Sequence, residues 1–296
     1  MTDVRRSGLV ALAGRPNVGK STLVNRMVGE HVVAVSERPQ TTRRRVLGAA
    51  RHADAQVVLV DLPGFQRPFD RLTERMQRSV DETLGDADAV LLVLDATSPI
   101  GPGDRHIAGR VLQAGGKPAI IVVNKVDLLG RDRIAPAIAA AGGLGGFHAL
   151  HPVSARTGDG VPELLADVAS LMPEGPAYFP PGVTSDQTAE QRIAELLREA
   201  ALRLTRDEVP HSVAAVVDEV EPGEGGVQVI RATLICETES QKGILIGRHG
   251  AMVKRIGSEA RPEVERVLGG RCYLELRVKV RPRWRRDEGA LDRLGV

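Results

Sequence analysis

Apolar runs alternate with helix-period patterns over roughly the first 172 residues. Leu9–Ala13, Val57–Val60 and Ala119–Val123 read as strands. Thr22–Val28 and Val161–Val168 read as helices, the second with Pro162 in its first turn. Alternation of this kind predicts a mostly parallel sheet with helices on both faces. The pattern stops at Met172–Gly182, where four prolines and two glycines can neither continue a helix nor enter a sheet interior. A semi-rigid spacer is predicted over 173–187. A new pattern then begins. Ile193, Leu196, Leu197, Ala200 and Leu204 recur at helical spacing. Strands are predicted over 212–220, 227–236 and 272–280, with a turn at 221–226. Between the last two strands, residues 242–257 form two helical segments joined by Gly247-Arg248-His249-Gly250. The expected organisation is an α/β domain over 1–172, the spacer, a smaller α+β domain over 188–286 and a tail over 287–296.

Each strand of the first domain ends in residues with chemistry. After Leu9–Ala13 comes Gly14-Arg15-Pro16-Asn17-Val18-Gly19-Lys20-Ser21, of the form G-x-x-x-x-G-K-S. Strand, glycine-rich loop and helix in that order make a P-loop. Backbone N–H groups cradle phosphates, and the helix, starting near Thr22, adds its positive end. Lys20 is expected to reach the β- and γ-phosphates, and the Ser21 hydroxyl to hold Mg²⁺. After Val57–Val60 comes Asp61-Leu62-Pro63-Gly64. Asp61 can reach a metal-bound water, and Gly64 lets its N–H approach a γ-phosphate. After Ala119–Val123 comes Asn124-Lys125-Val126-Asp127. One carboxylate accepts both the N1 and N2 donors of guanine, whereas adenine presents an acceptor at N1. A site built this way rejects the wrong base by about 10⁴-fold in favourable cases. Asn124 is expected to tie loops together and touch the base edge, and the Lys125 stem to cover the base plane. Val153-Ser154-Ala155 ends a further strand, with the Ala155 N–H expected to face guanine O6. In an open α/β sheet, ligands bind at that carboxyl edge. The expected ligand is GTP or GDP.

Residues Ser36–Arg45 are polar and lack a helical or strand period. A threonine here can bind Mg²⁺ and sense the γ-phosphate. Thr42 is favoured over Thr41 because it directly precedes the arginine run. The position after D-x-x-G, where many GTPases carry a water-orienting glutamine, is Phe65. Slow intrinsic turnover follows, with a missing part supplied from elsewhere.

Charge divides the chain unevenly. Thr238–Arg286 holds thirteen Lys/Arg against five Asp/Glu, a net of +8 in a chain whose total is +2. A basic carboxyl-terminal region points to a polyanion partner. Aromatic residues are only 2% of the chain, which argues against recognition by stacking platforms. Cys236 and Cys272 have no ligand spacing and read as buried thiols of a reducing cytoplasm. His31, His52 and His151 have no partner pattern. No run approaches membrane-spanning length, and Met1–Ser7 has no apolar core of a secretory signal.

The second domain resembles a KH module, of type II, in which a G-x-x-G loop clamps about four nucleotides of single-stranded nucleic acid. On that resemblance Lys242, Arg248, His249, Lys254 and Arg255 supply charge or polar contact. Gly247 and Gly250 allow close approach, and Ile244, Ile246 and Val253 form an apolar floor.

A GTPase of this type followed by KH resembles the bacterial Era family of ribosome-associated GTPases over essentially the whole chain. The landmarks, besides the motifs above, are Gln40-Thr41-Thr42-Arg43, Tyr178-Phe179-Pro180-Pro181, Glu208–Ala214, Glu239–Ile244 and Tyr273-Leu274-Glu275-Leu276. Leu62 stands where the family usually has Thr, and a packing change is expected. The resemblance implies binding of the 3′ region of 16S ribosomal RNA and of the 30S subunit, in small-subunit maturation. It implies a cytoplasmic protein, with peripheral membrane association in some members. Nothing points to an obligate oligomer, so a monomer is expected. In the broader GTPase group the residue corresponding to Asn17 is implicated in binding a monovalent cation, which makes K⁺ a candidate cofactor beside Mg²⁺. Two other functions fit the sequence: an RNA chaperone with GTP as a structural ligand, and a membrane-associated signalling GTPase.

Overall fold

Val57–Val60, Ala89–Leu94 and Ala119–Val123 are buried at every position because helices cover both faces of their sheet. The computed structural model describes residues 4–36, 38, 41–65, 68–114, 116–206 and 209–296, with His211 described by its backbone alone. Gln40 and Glu208, which stand in two of the landmarks, and Glu37 and Pro39 of the polar segment lie outside the described residues, as do Met1–Asp3. The chain forms two compact units. One comprises Met1–Val33, Thr42–Pro68 and Arg75–Asp186; the other comprises Ala34–Thr41, Phe69–Glu74 and Gln187–Val296.

The first unit contains β1 (Arg6–Ala13), α1 (Lys20–Val28), β2 (Val46–His52), β3 (Ala55–Asp61), most of α2 (Arg71–Asp86), β4 (Ala89–Asp95), α3 (Pro102–Gln113), β5 (Ala119–Asn124), α4 (Arg131–Gly142), β6 (Ala149–Val153) and α5 (Val161–Ser170). Strand order is β2-β3-β1-β4-β5-β6. All neighbours are parallel except β2, which runs antiparallel to β3. The period of two in each strand sorts side chains into two cores. Val10, Leu12, Leu59, Leu91 and Val122 pack with Leu23 and Val24 of α1 and Leu164 and Val168 of α5. Ala11, Val60, Leu92 and Val123 pack with Val80 of α2, Ile107 and Val111 of α3 and Ala141 of α4. Leu62 is fully buried in this second core. Parallel register carries Gly14, Asp61, Asp95, Asn124 and Ser154 to one edge, with Leu12 opposite Asp61 and Asp95 opposite Asn124.

Hydrogen bonds tie much of the proline-rich segment to the first unit. Pro173 accepts from the Ser7 N–H (3.0 Å), and Gly175 N–H donates to Arg5 O (3.0 Å). The buried Gln56 side chain both donates to and accepts from the Phe179 backbone, each at 2.9 Å. Further on, Ala49 N–H donates to Thr184 O (2.9 Å) and Leu47 N–H to Asp186 Oδ1 (3.0 Å). Thr184 and Asp186 thus supply acceptors to N–H groups on the open side of the edge strand β2.

The second unit contains α6 (Ala189–Leu204), α7 (Val209–Ser212), β7 (Ala214–Pro222), β8 (Gln228–Cys236), α8 (Glu239–Ile246), α9 (Ala251–Leu268), β9 (Cys272–Val280) and α10 (Glu288–Leu294). Its sheet has the order β7-β8-β9, antiparallel then parallel. A Thr188/Gln191 capping box starts α6, whose Ile193, Leu196, Leu197 and Ala200 are buried. The first strand begins at Ala214 rather than Ser212. Pro210 favours a helical turn there, closed by Ser212 Oγ donating to Val209 O at 3.0 Å. The expected tail is a helix. Asp287 caps α10, and Ala290 and Leu291 are buried. The only tryptophan, Trp284, is buried just before it and donates Nε1–H to Ser212 O at 2.9 Å. Cys236 and Cys272 are buried free thiols.

Candidate functional site

The loop between β1 and α1 winds through the left-handed region at Asn17 (φ 64°) and Gly19 (φ 98°) before α1 begins at Lys20. Lys20 is buried, and its Nζ donates to Gly14 O and Arg15 O, each at 3.1 Å. Burial lowers its pKa to about 8, against the opposing pull of the Asp61 carboxylate. Asp61 is fully buried at the end of β3, and burial raises its pKa despite Lys20 and two hydroxyl donors. Those donors are Ser21 Oγ and Thr42 Oγ1, each 2.8 Å from Asp61 Oδ2 and 3.1 Å from each other. Asp61 Oδ1 is buried without a hydrogen-bond partner. Two hydroxyls and a carboxylate with one oxygen unsatisfied fit a hard, oxygen-liganded cation such as Mg²⁺. Thr41 is oriented differently, its Oγ1 donating to Arg38 O at 2.7 Å. Gly64 lies against the loop: a Cβ there would sit 2.9 Å from Pro16 N. Phe65 is half-buried and packs on the second core. Val18 is buried, Thr22 is half-buried in the first turn of α1, and the Arg15 side chain pairs with Asp104 of α3.

Asn124 binds neighbouring loops with both ends of its amide. Nδ2 donates to Val18 O (2.8 Å), and Oδ1 accepts from the Ala155 N–H (2.9 Å). A Cβ at Gly19 would come within 2.2 Å of Nδ2, so only glycine fits. The expected tying of loops by Asn124 is what these two bonds do, from a buried position at the end of β5. The Ala155 N–H, expected to face guanine O6, here donates to the Asn124 amide. The Asp127 carboxyl is held below its usual range, first by a hydrogen bond from Ser154 and also by Arg156, whose Nη2 lies 2.6 Å from Oδ2. Lys125 Nζ lies 2.6 Å from Asp95 Oδ2. Burial pushes the Asp95 carboxyl up, and the bonds from Lys125 and Thr97 outweigh it, leaving it below the ordinary value. Asp95 and Arg156 were not among the expected residues. Asp95 closes the apolar run Ala89–Leu94 as Asp61 closes its own, a signal legible in the chain.

In the second unit, Gly247 (φ 70°), His249 (φ 51°) and Gly250 (φ 78°) carry the chain from α8 into α9. A capping box of Thr238 and Gln241 starts α8, and Leu245 anchors it in the core. Ile244 is 49% exposed, large for an isoleucine, while Ile246 and Val253 are half-buried. Arg248, His249, Lys254 and Arg255 are exposed around the loop; Lys242 is half-buried, 3.7 Å from Glu239. Exposed cations and an exposed isoleucine thus share this loop and the two helices that it joins.

Comparison with known proteins finds a family model in each unit. A family model described as 50S ribosome-binding GTPase matches residues 9–125, and one described as KH domain matches residues 208–285. The GTPase Era of Mycolicibacterium paratuberculosis is 44% identical over 299 residues, covering 100% of both chains. That of Mycobacterium tuberculosis is 44% identical over 294 residues, 98% of each. A crystal structure of Era in complex with MgGDPNP and nucleotides 1506–1542 of 16S ribosomal RNA superposes with a TM-score of 0.94 at 37% identity, over 98% of this chain and 99% of that one. A structure of an Aquifex aeolicus Era variant bound to GDP·AlF4⁻ superposes with a TM-score of 0.93 at 37% identity, with the same coverage. A P-loop unit and a KH unit in one chain, with 44% identity from end to end, establish that the chain belongs to the Era family of GTPases.

Proposed function

We propose that residues 1–172 bind and hydrolyse GTP, 173–187 connect, 188–286 bind RNA, and 287–296 complete the second unit. Gly14 to Thr22 surround the phosphates, with Lys20 reaching the β- and γ-oxygens. Ser21, Thr42 and Asp61 hold Mg²⁺, which when bound neutralises charge on those phosphates. Thr42 and the Gly64 N–H sense the γ-phosphate. Asp127, hydrogen-bonded by Ser154, accepts the guanine donors. The Lys125 stem covers the base, and Asn124 and Ala155 brace the pocket. Asn17 takes K⁺, a source of positive charge where Phe65 offers no water-orienting amide. The Gly247–Gly250 loop with Lys242, Ile244, Ile246, Lys254 and Arg255 grips single-stranded RNA. The relative solved with nucleotides 1506–1542 of 16S ribosomal RNA supports the 3′ region of that RNA, and through it the 30S subunit, as the partner. The protein then acts as a slow switch during small-subunit assembly, in the cytoplasm where that RNA lies. No helix among the described residues is long and apolar enough to cross a membrane.

The observation that carries the reading is the meeting of the Ser21 and Thr42 hydroxyls on one oxygen of Asp61 while the other stays buried and unsatisfied. The test is hydrolysis of GTP against ATP in Mg²⁺, and affinity for an RNA of nucleotides 1506–1542 with GDPNP or GDP loaded. Preference for GTP and tighter RNA binding with GDPNP are expected. Equal use of ATP, or equal RNA affinity in both states, overturns it.

A further inference from the structure

We infer that Asp104, at the start of α3, is a positioning residue for Lys20, acting through Arg15. The inference rests on the reading of Lys20 as the cation of the triphosphate. Arg15 Nε lies 2.7 Å from Asp104 Oδ1. Asp104 is only 2% exposed, while Arg15 is 38% exposed. The second carboxylate oxygen, Oδ2, accepts the Gly101 N–H at 2.9 Å. With one oxygen on its own helix cap and the other on the guanidinium, the carboxylate has no freedom to turn. The Arg15 stem runs over Gly103, where a Cβ would meet Arg15 Cδ at 3.4 Å. This is a charge-assisted bond between a buried acceptor and a side chain laid along the surface of α3.

Its consequence lies in the backbone of Arg15. The Arg15 and Gly14 carbonyls are the two acceptors of Lys20 Nζ. They sit in a loop that passes through positive φ at Gly14 (152°) and Asn17 (64°), outside any strand or helix. Pro16 and Asn17 form a turn within it, and a side-chain tether from Arg15 to a helix adds a restraint from outside. Asp104 fixes Arg15, Arg15 O fixes the Lys20 ammonium, and the ammonium meets the phosphate. Displacement of a charged group by about 1 Å costs up to about a hundredfold in rate.

The experiment is steady-state GTP hydrolysis by the full chain and by Asp104→Asn, Arg15→Ala, Arg15→Lys and the Asp104→Asn/Arg15→Ala double variant, with Lys20→Ala in the same assay. Asparagine at 104 still offers Gly101 an acceptor, so the helix cap survives while the ion pair is lost. Arg15→Ala alters a partly exposed residue and tests the same link should the first variant fold poorly. The expected result is a fall in kcat of about tenfold for Asp104→Asn, with KM for GTP changed by less than about threefold. The double variant should lose no more than Arg15→Ala alone, because one link is being cut twice. Arg15→Lys, which keeps the charge, should restore most of the loss. A lowered melting temperature with kcat per folded molecule unchanged, or losses that multiply in the double variant, overturns the inference. If Lys20→Ala abolishes hydrolysis while Asp104→Asn and Arg15→Ala do not lower kcat, the inference alone falls. If Lys20→Ala hydrolyses like the unaltered chain, the reading of Lys20 falls and the inference with it.

Discussion

The side-chain amide of Asn124 donates to the Val18 carbonyl at 2.8 Å, so the end of β5 also holds the loop between β1 and α1. Asn124→Ala leaves the Val18 carbonyl and the Ala155 N–H unpaired in a buried place. Each such loss costs about 1–3 kcal/mol. The expected outcome is a drop of that order in unfolding free energy, read by urea denaturation, together with weaker binding of GTP and GDP alike in calorimetry.

On the proposed reading, Asp127 decides the base. Asp127→Asn replaces an acceptor by a group that donates where guanine also donates, leaving buried polar atoms unpaired. GTP affinity should fall by about 10³-fold or more, and xanthosine triphosphate, which offers an acceptor at that edge, should become the better ligand. Competition between the two nucleotides for the variant measures this.

Lys20 has a pKa of about 8 in the folded protein against an ordinary 10.5. Between those values the folded state binds fewer protons than the unfolded state, so this group adds stability as pH rises through the window. Phosphate binding needs the charged form and therefore opposes the trend. Nucleotide affinity should weaken above pH 8, approaching tenfold per pH unit by the proton linkage of one group. Titration from pH 7 to 9, with Lys20→Arg flattening the curve, checks the assignment.

Asn17 sits exposed in the loop with φ 64°. If it binds a monovalent cation, hydrolysis runs faster in KCl than in NaCl of equal strength, and Asn17→Ala removes the difference. Equal rates in both salts would discard the role.

Arg248 and Lys254 are exposed beside the G-x-x-G turn. Replacing both by Ala should weaken RNA binding and flatten its salt dependence. Each lost phosphate contact should reduce the slope of log K against log salt by about 0.7 on a single strand. Filter binding across a range of KCl concentrations gives the slope.

Much of this molecule is local in origin and could be read along the chain. Gly14–Ser21, Asp61–Gly64, Asn124–Asp127 and Gly247–Gly250 act through backbone shape and residue type at fixed spacing. The apolar runs before the first three place them at strand ends, and Ile193, Leu196, Leu197 and Ala200 lie on one helix face by periodicity alone. What the chain does not display is partnership across distance. β2 carries Gly48, Ala49 and Ala50, too small to announce a strand, and exists because β3 and the segment ending at Asp186 supply its hydrogen bonds. Pro173–Asp186 has the composition of a spacer, and it is tied to the first unit by bonds to Arg5, Ser7, Gln56, Leu47 and Ala49 that no local pattern announces. Ala155 and Asn124 are 31 residues apart, and Arg15 and Asp104 are 89 apart. Neither pair has a spacing that signals contact. Folding brings them together, and burial then makes each hydrogen bond costly to lose.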